Sequence, residues 1–462
     1  MPALGPPVST ETGDNDGGCC DDGCSKDGAG RDEARHGRAI PAMPGRARAP
    51  WSRPTVSIGR RRRSILAAMA LLALSSPTGA LEWSGRLELE ARGFARSPAY
   101  PHQRRHGLSF AVQPELHHSF DDDRQSVSFT PFVRVDSADG RRTHVDIREL
   151  MYQRVFDEAE LRVGIGRVFW GVTEAEHLVD TINQTDLVEN VDREDKLGQP
   201  LVNLSLVRDW GTVDLFVLPW FRERTFPGRE GRLRSEPFVD VNRTTYESGA
   251  GRHRLDFAVR WSHAVGDFDM GVAHFRGTSR EPLLRPVCAA SACNPLTGQG
   301  PVLARRYEVV NRTSLDLQAT KGATLWKVEA LHVSGSEDAY IAWVAGFEYT
   351  WFGICGSGVD LGLLGEHLFD GRGGTAPHPL ENDLFAGVRL GFNDAAGTEL
   401  LAGIVADAEG DGTVLSLEAA RRIGDRWKVE LEARAWNAVA RDDPMFSLRS
   451  DDYVQLTLSR FF

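Results

Sequence analysis

From Trp83 onward, apolar and polar side chains alternate with a period of two residues through most of the chain. Leu87 and Leu89 share one phase, and Glu88 and Glu90 occupy the other. Successive side chains of a β-strand point to opposite faces of the sheet, so this alternation predicts an all-β chain whose strands have one apolar and one polar face. Later runs repeat the pattern, with these apolar members: Leu108, Phe110, Val112, Leu116, Phe120; Val213, Leu215, Val217, Phe221; Leu255, Phe257, Val259, Trp261; Leu384, Ala386, Val388, Leu390, Phe392; Trp427, Val429, Leu431, Ala433.

The connections between these predicted strands fall into two classes. Short polar connections lie near residues 121–124, 157–158, 209–211, 266–267, 320–322, 393–397 and 424–425. The intervening connections are often long, at about residues 95–106, 169–200, 223–252, 278–305, 369–382 and 439–450. Transmembrane β-barrels have short periplasmic turns at one end and long extracellular loops at the other. A β-sandwich, which would bury its apolar face, has no reason to segregate connection lengths in this way.

We therefore predict a transmembrane antiparallel β-barrel of about 18 strands, with 16 strands as the alternative. An even number places both chain ends on the periplasmic side. No stretch after residue 81 approaches the roughly 18 consecutive apolar residues that a spanning helix needs. A barrel of this size is too wide for side chains to fill, so water or an inserted segment is expected in its interior.

One continuous apolar run, Ser64 to Leu74, has the features of a secretory signal peptide. Four arginines precede it at 60–63, and small residues follow it up to Ala80, where cleavage is expected. We assign residues 60–80 to the signal peptide and 81–462 to the barrel. A twin-arginine signal is the alternative route, but a barrel must reach its assembly machinery unfolded, which favours general secretion.

Residues 1–59 are rich in Gly, Asp, Arg and Pro and are predicted to be a disordered extension, because this composition cannot bury a core. A start codon at Met43 instead of Met1 would explain their place before a signal peptide. Three cysteines in this extension have no histidine partners nearby, so no metal site is expected there: Cys19, Cys20 and Cys24.

Charge excludes one class of partner and suggests another. Residues 81–462 contain 57 Asp and Glu against 43 Lys and Arg, so nucleic acid is not expected to bind. Only four of the 43 are lysine. Arginine suits carboxylate or phosphate solutes, although codon usage explains the same excess. Cys288 and Cys293 lie five residues apart and can close a small disulfide loop in an oxidising compartment.

The alternation fails between residues 169 and 200. Thr173 and Glu176 there form a capping box that predicts a short helix from Glu174 to Ile182. The segment either folds inward as a pore constriction or packs on its own side chains as an extracellular cap. Folded inward, it would line the pore with Asp180, Asp186, Glu189, Asp192, Glu194 and Asp195. Wall arginines predicted to face these carboxylates are Arg134, Arg148, Arg162, Arg222, Arg224 and Arg434.

The last strand, Asp451 to Phe462, ends on an aromatic residue. It resembles the terminal strand by which outer-membrane barrels of Gram-negative bacteria are recognised, with an assembly signal formed by Val454, Leu456, Leu458 and Phe462. The resemblance implies an outer-membrane location and two partners, outer-membrane lipid and the barrel-assembly machinery.

A second resemblance lies in the irregular segment. The residues Gly166-Arg167, Trp170-Gly171, Glu174, Ile182-Asn183 and Asp186 are similar to a stretch of proteobacterial porin-like outer-membrane proteins, and the strand number is similar to that of alginate-export barrels. The sequence departs from the pattern at Gln184, where proline is usual. The resemblance implies passive diffusion of small hydrophilic, anionic or oligosaccharide solutes, without an enzyme activity, cofactor or metal.

Two other functions stay open. An adhesive or structural barrel would use its long loops, and a lipid-hydrolysing barrel would use a serine and a histidine near its rim. The candidates for hydrolysis are Ser357 and the strand histidines His263, His274 and His332, none of which lies in a nucleophile-elbow pattern.

Overall fold

The computed structural model describes residues 81–288, 301–335, 339–376, 378, 380–441 and 443–462. None of its described helices is long and apolar enough to cross a membrane. The strands, labelled in chain order, are β1 (Leu81–Phe94), β2 (His106–Phe120), β3 (Gln125–Asp136), β4 (His144–Val155), β5 (Ala159–Gly166), β6 (Gln199–Arg208), β7 (Gly211–Leu218), β8 (Val239–Tyr246), β9 (Asp256–Val265), β10 (Phe268–Thr278), β11 (Leu283–Val287), β12 (Val302–Tyr307), β13 (Val309–Lys321), β14 (Thr324–Ser334), β15 (Tyr340–Trp351), β16 (Asp360–Asp370), β17 (Asn382–Gly391), β18 (Glu399–Asp407), β19 (Thr413–Ile423), β20 (Trp427–Asn437) and β21 (Tyr453–Phe461). Short 3-10 helices cover Gly251–His253, Ile354–Gly356, Gly373–Thr375 and Pro444–Leu448.

Eighteen of these strands form one antiparallel sheet that closes into a barrel. Closure comes from the pairing of β1 with β21, which runs from Arg86 opposite Phe461 to Phe94 opposite Tyr453. The prediction of an all-β barrel with 18 strands is confirmed, and the alternatives of 16 strands and a sandwich are wrong. A closed sheet leaves no unpaired strand edge. The predicted extension and signal peptide, residues 1–80, lie outside the described residues.

The connections separate by length at the two ends of the barrel, as predicted. All seven predicted short links join strands at one end, and residues 352–359 form an eighth link there, at the Gly356-Ser357-Gly358 stretch that the sequence predicts to be a turn. At the other end, the longest connections are residues 167–198, 219–255 and 279–308. Within the last two, β8, β11 and β12 form a separate three-stranded sheet.

The outer face of the barrel is apolar. Leu89, Leu384 and Leu456 are exposed to 52%, 53% and 49%, although each is a large aliphatic side chain. Their strand neighbours Glu88 and Asp383 point inward and are buried. This arrangement reverses that of a soluble protein and follows directly from the alternation in the sequence.

The inner face is not uniformly polar, which corrects the expectation of one fully wet face. Several inward residues of β6 to β14 are apolar and buried, among them Leu201, Phe216, Phe275 and Leu331. Phe221, predicted to continue the outward row of β7, lies beyond the end of that strand and is also buried. These apolar side chains pack against the connection between β5 and β6.

Candidate functional site: a segment inside the barrel

Residues 167–198, here called the inner segment, connect β5 to β6 and contact strands on opposite sides of the closed wall. Glu329 of β14 and Glu366 of β16 bind its first half. Arg134 of β3 and Arg148 of β4 bind its second half. A segment that contacts opposite sides of a closed ring lies within that ring.

Two wall carboxylates hold the backbone of the first half. Glu329, which is fully buried, accepts hydrogen bonds from the backbone N–H groups of Val172 (2.7 Å), Thr173 (3.1 Å) and Val179 (3.0 Å), and from the Thr173 hydroxyl (2.7 Å). Glu366 accepts from two further N–H groups, those of residues 174 and 175, both at 2.8 Å. The predicted helix from Glu174 to Ile182 is wrong. In that helix the N–H of Val179 would bind the carbonyl group four residues before it, but here it donates to Glu329.

Apolar contacts hold the same half. Trp170, Val179 and Ile182 are buried in the cluster formed by the inward residues of β6, β7, β9, β10, β13 and β14. On the adjoining part of the wall, Ala175 and Leu178 pack against a smaller cluster on β15 to β18. Full burial of an aliphatic side chain contributes about 1.5–3 kcal/mol, so these contacts supply a substantial part of the attachment.

Ion pairs hold the second half. Arg134 lies 2.8 Å from Glu189, and the same guanidinium contacts Glu88 and Glu90 on β1. Arg142 donates to the carbonyl oxygens of Val188 and Glu189 and forms a two-bond pair with Glu90 at 2.6 and 2.7 Å. All of these side chains are buried, and each carboxylate has a cationic partner, which is the condition under which buried charge is tolerated.

A second group of ion pairs lies beside the first. Asp186, whose side chain is fully buried, lies 2.8 Å from Arg148 and accepts a hydrogen bond of 2.7 Å from the Thr225 hydroxyl. Arg148 also contacts Asp146 at 3.2 Å, and Asp146 pairs with Arg222 at 2.7 Å. The connection 219–255 thus joins the inner segment to β4.

The other residues that the sequence predicts at the constriction have weaker or more local contacts. Asp192 lies 3.6 Å from Arg434 of β20, and Asp180 pairs with Lys196 of its own segment at 3.2 Å. Glu194 is exposed, and Asp195 contributes a carbonyl oxygen to the N–H of Asp186. Arg224 donates to the Gln184 amide oxygen at 3.2 Å. Arg162 does not join the site: it pairs with Glu160 of its own strand.

The carboxyl groups of the inner segment differ in their affinity for protons. Burial raises the pKa of Asp192 to about 8; Arg434 opposes this, and the charges of Asp195 and Glu432 add to it. Burial and the charge of Glu189 raise the pKa of Asp195 to about 6. Glu189 behaves in the opposite way. Although burial acts against the shift, the hydrogen bond with His144 and the charges of Arg134 and Arg142 lower its pKa to about 2.

The inner segment leaves open space on both sides. A cavity of about 470 Å³ lies between it and the wall formed by β1 and β17 to β21. A smaller cavity of about 60 Å³ lies towards the long connections. Glu174, Asp192 and Glu194 line both cavities, so these three carboxylates lie between the two spaces.

Charge in the larger cavity is unbalanced. Eleven carboxylates line it against seven arginine and lysine side chains. With Asp192 protonated at neutral pH, ten carboxylates still exceed the cations. The lining is therefore negative overall, in contrast to the positive lumen that the arginine content of the sequence suggests.

One group in the site has the donor types of a metal site. Ligand atoms of His144, Asp186 and Glu189 lie within 4.8 Å of one another. Arg134 and Arg148 already contact both carboxylates, so their charge is compensated without an ion. The group is better described as part of the ion-pair network.

Several important residues were missed by the sequence analysis. Four residues bind the inner segment or the arginines that contact it: Glu329, Glu366, Glu90 and Arg142. The alternation shows only that the three glutamates point inward. No local signal distinguishes these glutamates from other inward carboxylates, because their partners lie far away in the sequence.

The predicted assembly strand lies on the outer face of the barrel, and the hydrolase candidates do not lie together. Val454 and Leu456 of β21 are exposed on the outer face, and the Phe462 ring lies 5.2 Å from that of Trp83. His263, His274 and His332 follow the outward phase of their strands, whereas the Ser357 hydroxyl donates to the Ile354 carbonyl at the short-turn end.

Cys288 is disulfide-bonded. Its predicted partner, Cys293, lies outside the described residues.

Comparison with solved structures finds bacterial porins and a carbohydrate-binding barrel. A BenF-like porin from Pseudomonas fluorescens Pf-5 matches over 83% of this chain and 98% of its own, with 8% identity and a TM-score of 0.49. Wzi, an outer-membrane protein involved in group 1 capsule assembly in Escherichia coli, matches over 88% and 89%, with 9% identity and a TM-score of 0.46. A triple mutant of the Rh. blastica porin matches over 83% and 100%, with 9% identity and a TM-score of 0.40.

Two of these proteins are porins, and Wzi is a carbohydrate-binding β-barrel. No family model and no curated protein matches the chain. At these identities and TM-scores the likeness decides nothing about function.

Proposed function

We propose that this protein is a porin-like channel of the outer membrane of a Gram-negative bacterium, through which small hydrophilic solutes diffuse passively. The apolar outer face supports the membrane location, because large aliphatic side chains exposed around a closed sheet are suited to hydrocarbon. The short turns are then periplasmic and the long connections extracellular.

The observation that carries the channel function is the space beside the inner segment. The segment narrows the barrel without filling it, and the cavity of about 470 Å³ is lined by charged side chains that keep it hydrated. We place the constriction of this route at Glu174, Asp192 and Glu194, because these three residues line both cavities. Rings of carboxylates at a constriction favour cations over anions.

The preferred solutes are accordingly neutral or cationic. Anionic solutes, which the resemblance to alginate-export barrels implies, would meet a net negative lining at neutral pH. The wall arginines do not reverse this preference, because Arg134, Arg142 and Arg148 are already paired with carboxylates.

Two measurements on purified protein in lipid test this function. In a liposome swelling assay, a channel admits small neutral sugars, whereas an adhesive barrel with a closed lumen does not. In a salt gradient across a planar bilayer, the reversal potential is expected to have the sign of cation preference. Glu194→Gln should reduce that preference, whereas Glu158→Gln, which changes an exposed carboxylate of a short turn, should leave it unchanged.

A further inference from the structure

The smaller cavity, of about 60 Å³, is lined by more arginines than the ion pairs of its wall account for. Three of them come from separate elements: Arg224 from the connection 219–255, Arg280 from the connection 279–308 and Arg312 from β13. In the part of the chain that the structure describes, Arg224 and Arg312 form no ion pair, whereas Arg280 lies 3.3 Å from Asp256. The other arginine and lysine side chains of the lining are paired: Arg193 with Glu176, Lys196 with Asp180 and Arg372 with Glu281.

Each of the three arginines is fixed by a hydrogen bond to the inner segment. Arg280 Nε donates to the Ile182 carbonyl at 3.1 Å, and Arg312 Nη2 donates to the Leu178 carbonyl at 3.0 Å. Arg224 Nε donates to an amide oxygen of the same segment at 3.2 Å. These bonds hold the guanidinium groups in place, so little side-chain ordering remains to be paid when a ligand binds.

The same bonds leave donor groups of the arginines unused. Within the described residues, Arg224 Nε is the only guanidinium nitrogen of that side chain with an acceptor. Arg280 Nη2 and Arg312 Nε are buried without an acceptor among those residues, and Arg280 as a whole is only 4% exposed. Buried donors without a partner are uncommon in folded proteins, so this wall of the cavity is suited to a ligand that accepts hydrogen bonds.

The electrostatic surroundings of Arg224 support the same conclusion. Burial lowers the pKa of Arg224 to about 10, and the charge of Arg193 adds to this shift, while Glu281 and Glu176 oppose it. Arg224 is therefore still charged at neutral pH. An anionic group in contact with this guanidinium would offset the cost of burying its charge.

The cavity also contains a carboxylate without a cation. Glu194 lines it, is exposed, and forms no ion pair with any residue that the structure describes. Every other carboxylate of the lining has a cationic partner. Both signs of charge are thus available to a ligand in one small space. A buried water needs roughly 10–15 Å³ of such space, so a cavity of about 60 Å³ holds only a molecule of a few non-hydrogen atoms.

We propose that the smaller cavity binds a small amino acid, with its carboxylate on Arg224 and Arg312 and its ammonium group towards Glu194. Arginine suits this role because its planar fork of N–H groups matches the two oxygens of a carboxylate. A zwitterion has no net charge, so the acidic lining beyond the constriction does not exclude it. This inference rests on the channel function proposed above and names small amino acids as a class of its solutes.

NMR of isotope-labelled glycine mixed with the purified protein in detergent tests the site. The protein should broaden the glycine signal, and unlabelled glycine should reverse the broadening in the millimolar range, because a channel site must also release its solute. Acetate lacks the ammonium group and methylammonium lacks the carboxylate. Each should compete at least about tenfold more weakly than glycine, since a hydrogen-bonded charge is lost.

Substitutions separate the two halves of the site. Arg224→Gln and Arg312→Gln should each weaken glycine binding at least about tenfold, and neither breaks an ion pair among the described residues. Arg243→Gln is the matched control, because Arg243 is an exposed arginine of the same connection as Arg224 and pairs with Asp240. It should leave binding unchanged. Glu194→Gln should weaken the binding of glycine and not that of acetate.

Three results would overturn the site. One is the absence of saturable glycine binding to the wild type, and another is an equal affinity for acetate and glycine. The third is wild-type binding by both arginine variants, with folding verified by heat-modifiable gel mobility. Conductance of the same preparation in potassium chloride tests the channel separately. Conductance without glycine binding overturns only this inference, whereas glycine binding without conductance contradicts the channel function and supports the site.

Discussion

Removing the Glu329 carboxylate should release the inner segment from the wall. Glu329→Ala leaves three backbone N–H groups without their acceptor in a buried place, while the Thr173 hydroxyl keeps the Glu176 carbonyl as an acceptor. Each unsatisfied buried donor costs about 1–3 kcal/mol. Even at the lower limit, the three together cost about 3 kcal/mol, which is roughly a hundredfold change in the equilibrium for local opening.

Two assays follow the release. Hydrogen exchange of the amides of residues 172–179 should accelerate by about two to three orders of magnitude, because their protection depends on these bonds. Single-channel conductance in planar bilayers should rise and become noisier, since the released segment no longer holds a fixed position. Glu366→Ala should also raise the exchange rate and the conductance, but by less, because Glu366 accepts only two hydrogen bonds from backbone N–H groups of the inner segment.

Glu430→Ala is the matched control. It removes one inward-pointing carboxylate of the barrel wall, so the change in formal charge is the same, but Glu430 lines the larger cavity and pairs with Lys428 of its own strand instead of the inner segment. Exchange of residues 172–179 should stay at the wild-type rate in this variant. Unchanged exchange and conductance in Glu329→Ala would refute the reasoning that wall carboxylates hold the segment.

The remaining predictions concern charge, stability and assembly. Because burial raises the pKa of Asp192 to about 8, this side chain is mostly protonated at pH 7 and ionises above pH 8. The cation preference of the channel should therefore increase between pH 7 and pH 9. Reversal potentials should show this increase in the wild type and not in Asp192→Asn. The same raised pKa means that the folded state binds this proton more tightly than the unfolded state does. The contribution of protonated Asp192 to stability is therefore present below about pH 4 and is lost as the pH rises through 8. At pH 9, thermal unfolding should show Asp192→Asn to be more stable than the wild type. Arg148→Ala leaves the fully buried Asp186 without its ion partner and should lower the free energy of unfolding by about 3–5 kcal/mol, measured with a denaturant. Arg162→Ala is the control: Arg162 pairs with a residue of its own strand, so its loss should lower the free energy of unfolding by less than about 1 kcal/mol. Deleting Phe462 removes its ring contact with Trp83 and its backbone hydrogen bonds to Gly85. The amount of folded barrel in outer-membrane fractions, measured by heat-modifiable gel mobility, should therefore fall. Undiminished assembly would contradict the role of the terminal strand.

The barrel could be predicted from the sequence because its determinants are local. Alternation assigns each side chain to a face, and turn residues mark the short connections, as at Gly266-Asp267 and Gly424-Asp425. Neither signal depends on residues elsewhere in the chain. The link at residues 352–359 has the same kind of signal in Gly356-Ser357-Gly358, although Trp351 and Phe352 continue the apolar character of the strand up to it.

The inner segment could be located from the sequence but its conformation could not. The loss of alternation marks its bounds to within about two residues. Its backbone conformation depends on Glu329 and Glu366, which lie 157 and 192 residues away from their partners Val172 and Glu174. The local capping signal at Thr173 predicts a helix, but in the structure these distant carboxylates bind the backbone in an irregular conformation of turns and bends.

The carboxylate and arginine partners could be predicted as types and not as pairs. Arg134 and Arg148 do face Glu189 and Asp186, because inward phase and approximate height on the wall restrict the choice. Arg162 has the inward phase too, but its position near the short-turn end of β5 keeps it away from the segment. Height along the barrel depends on the shear of the whole sheet, which no single strand encodes.

Access of a charged thiol reagent to position 194 tests whether a hydrated route passes a segment held inside a membrane barrel. Glu194→Cys, made in a Cys355→Ser background because Cys355 is a free exposed thiol, is reconstituted in a planar bilayer. We expect a steady current that falls in discrete steps when a membrane-impermeant, positively charged thiol reagent is added, with no response in the background protein. No current above that of the bare bilayer, or a current that the reagent leaves unchanged, would contradict it.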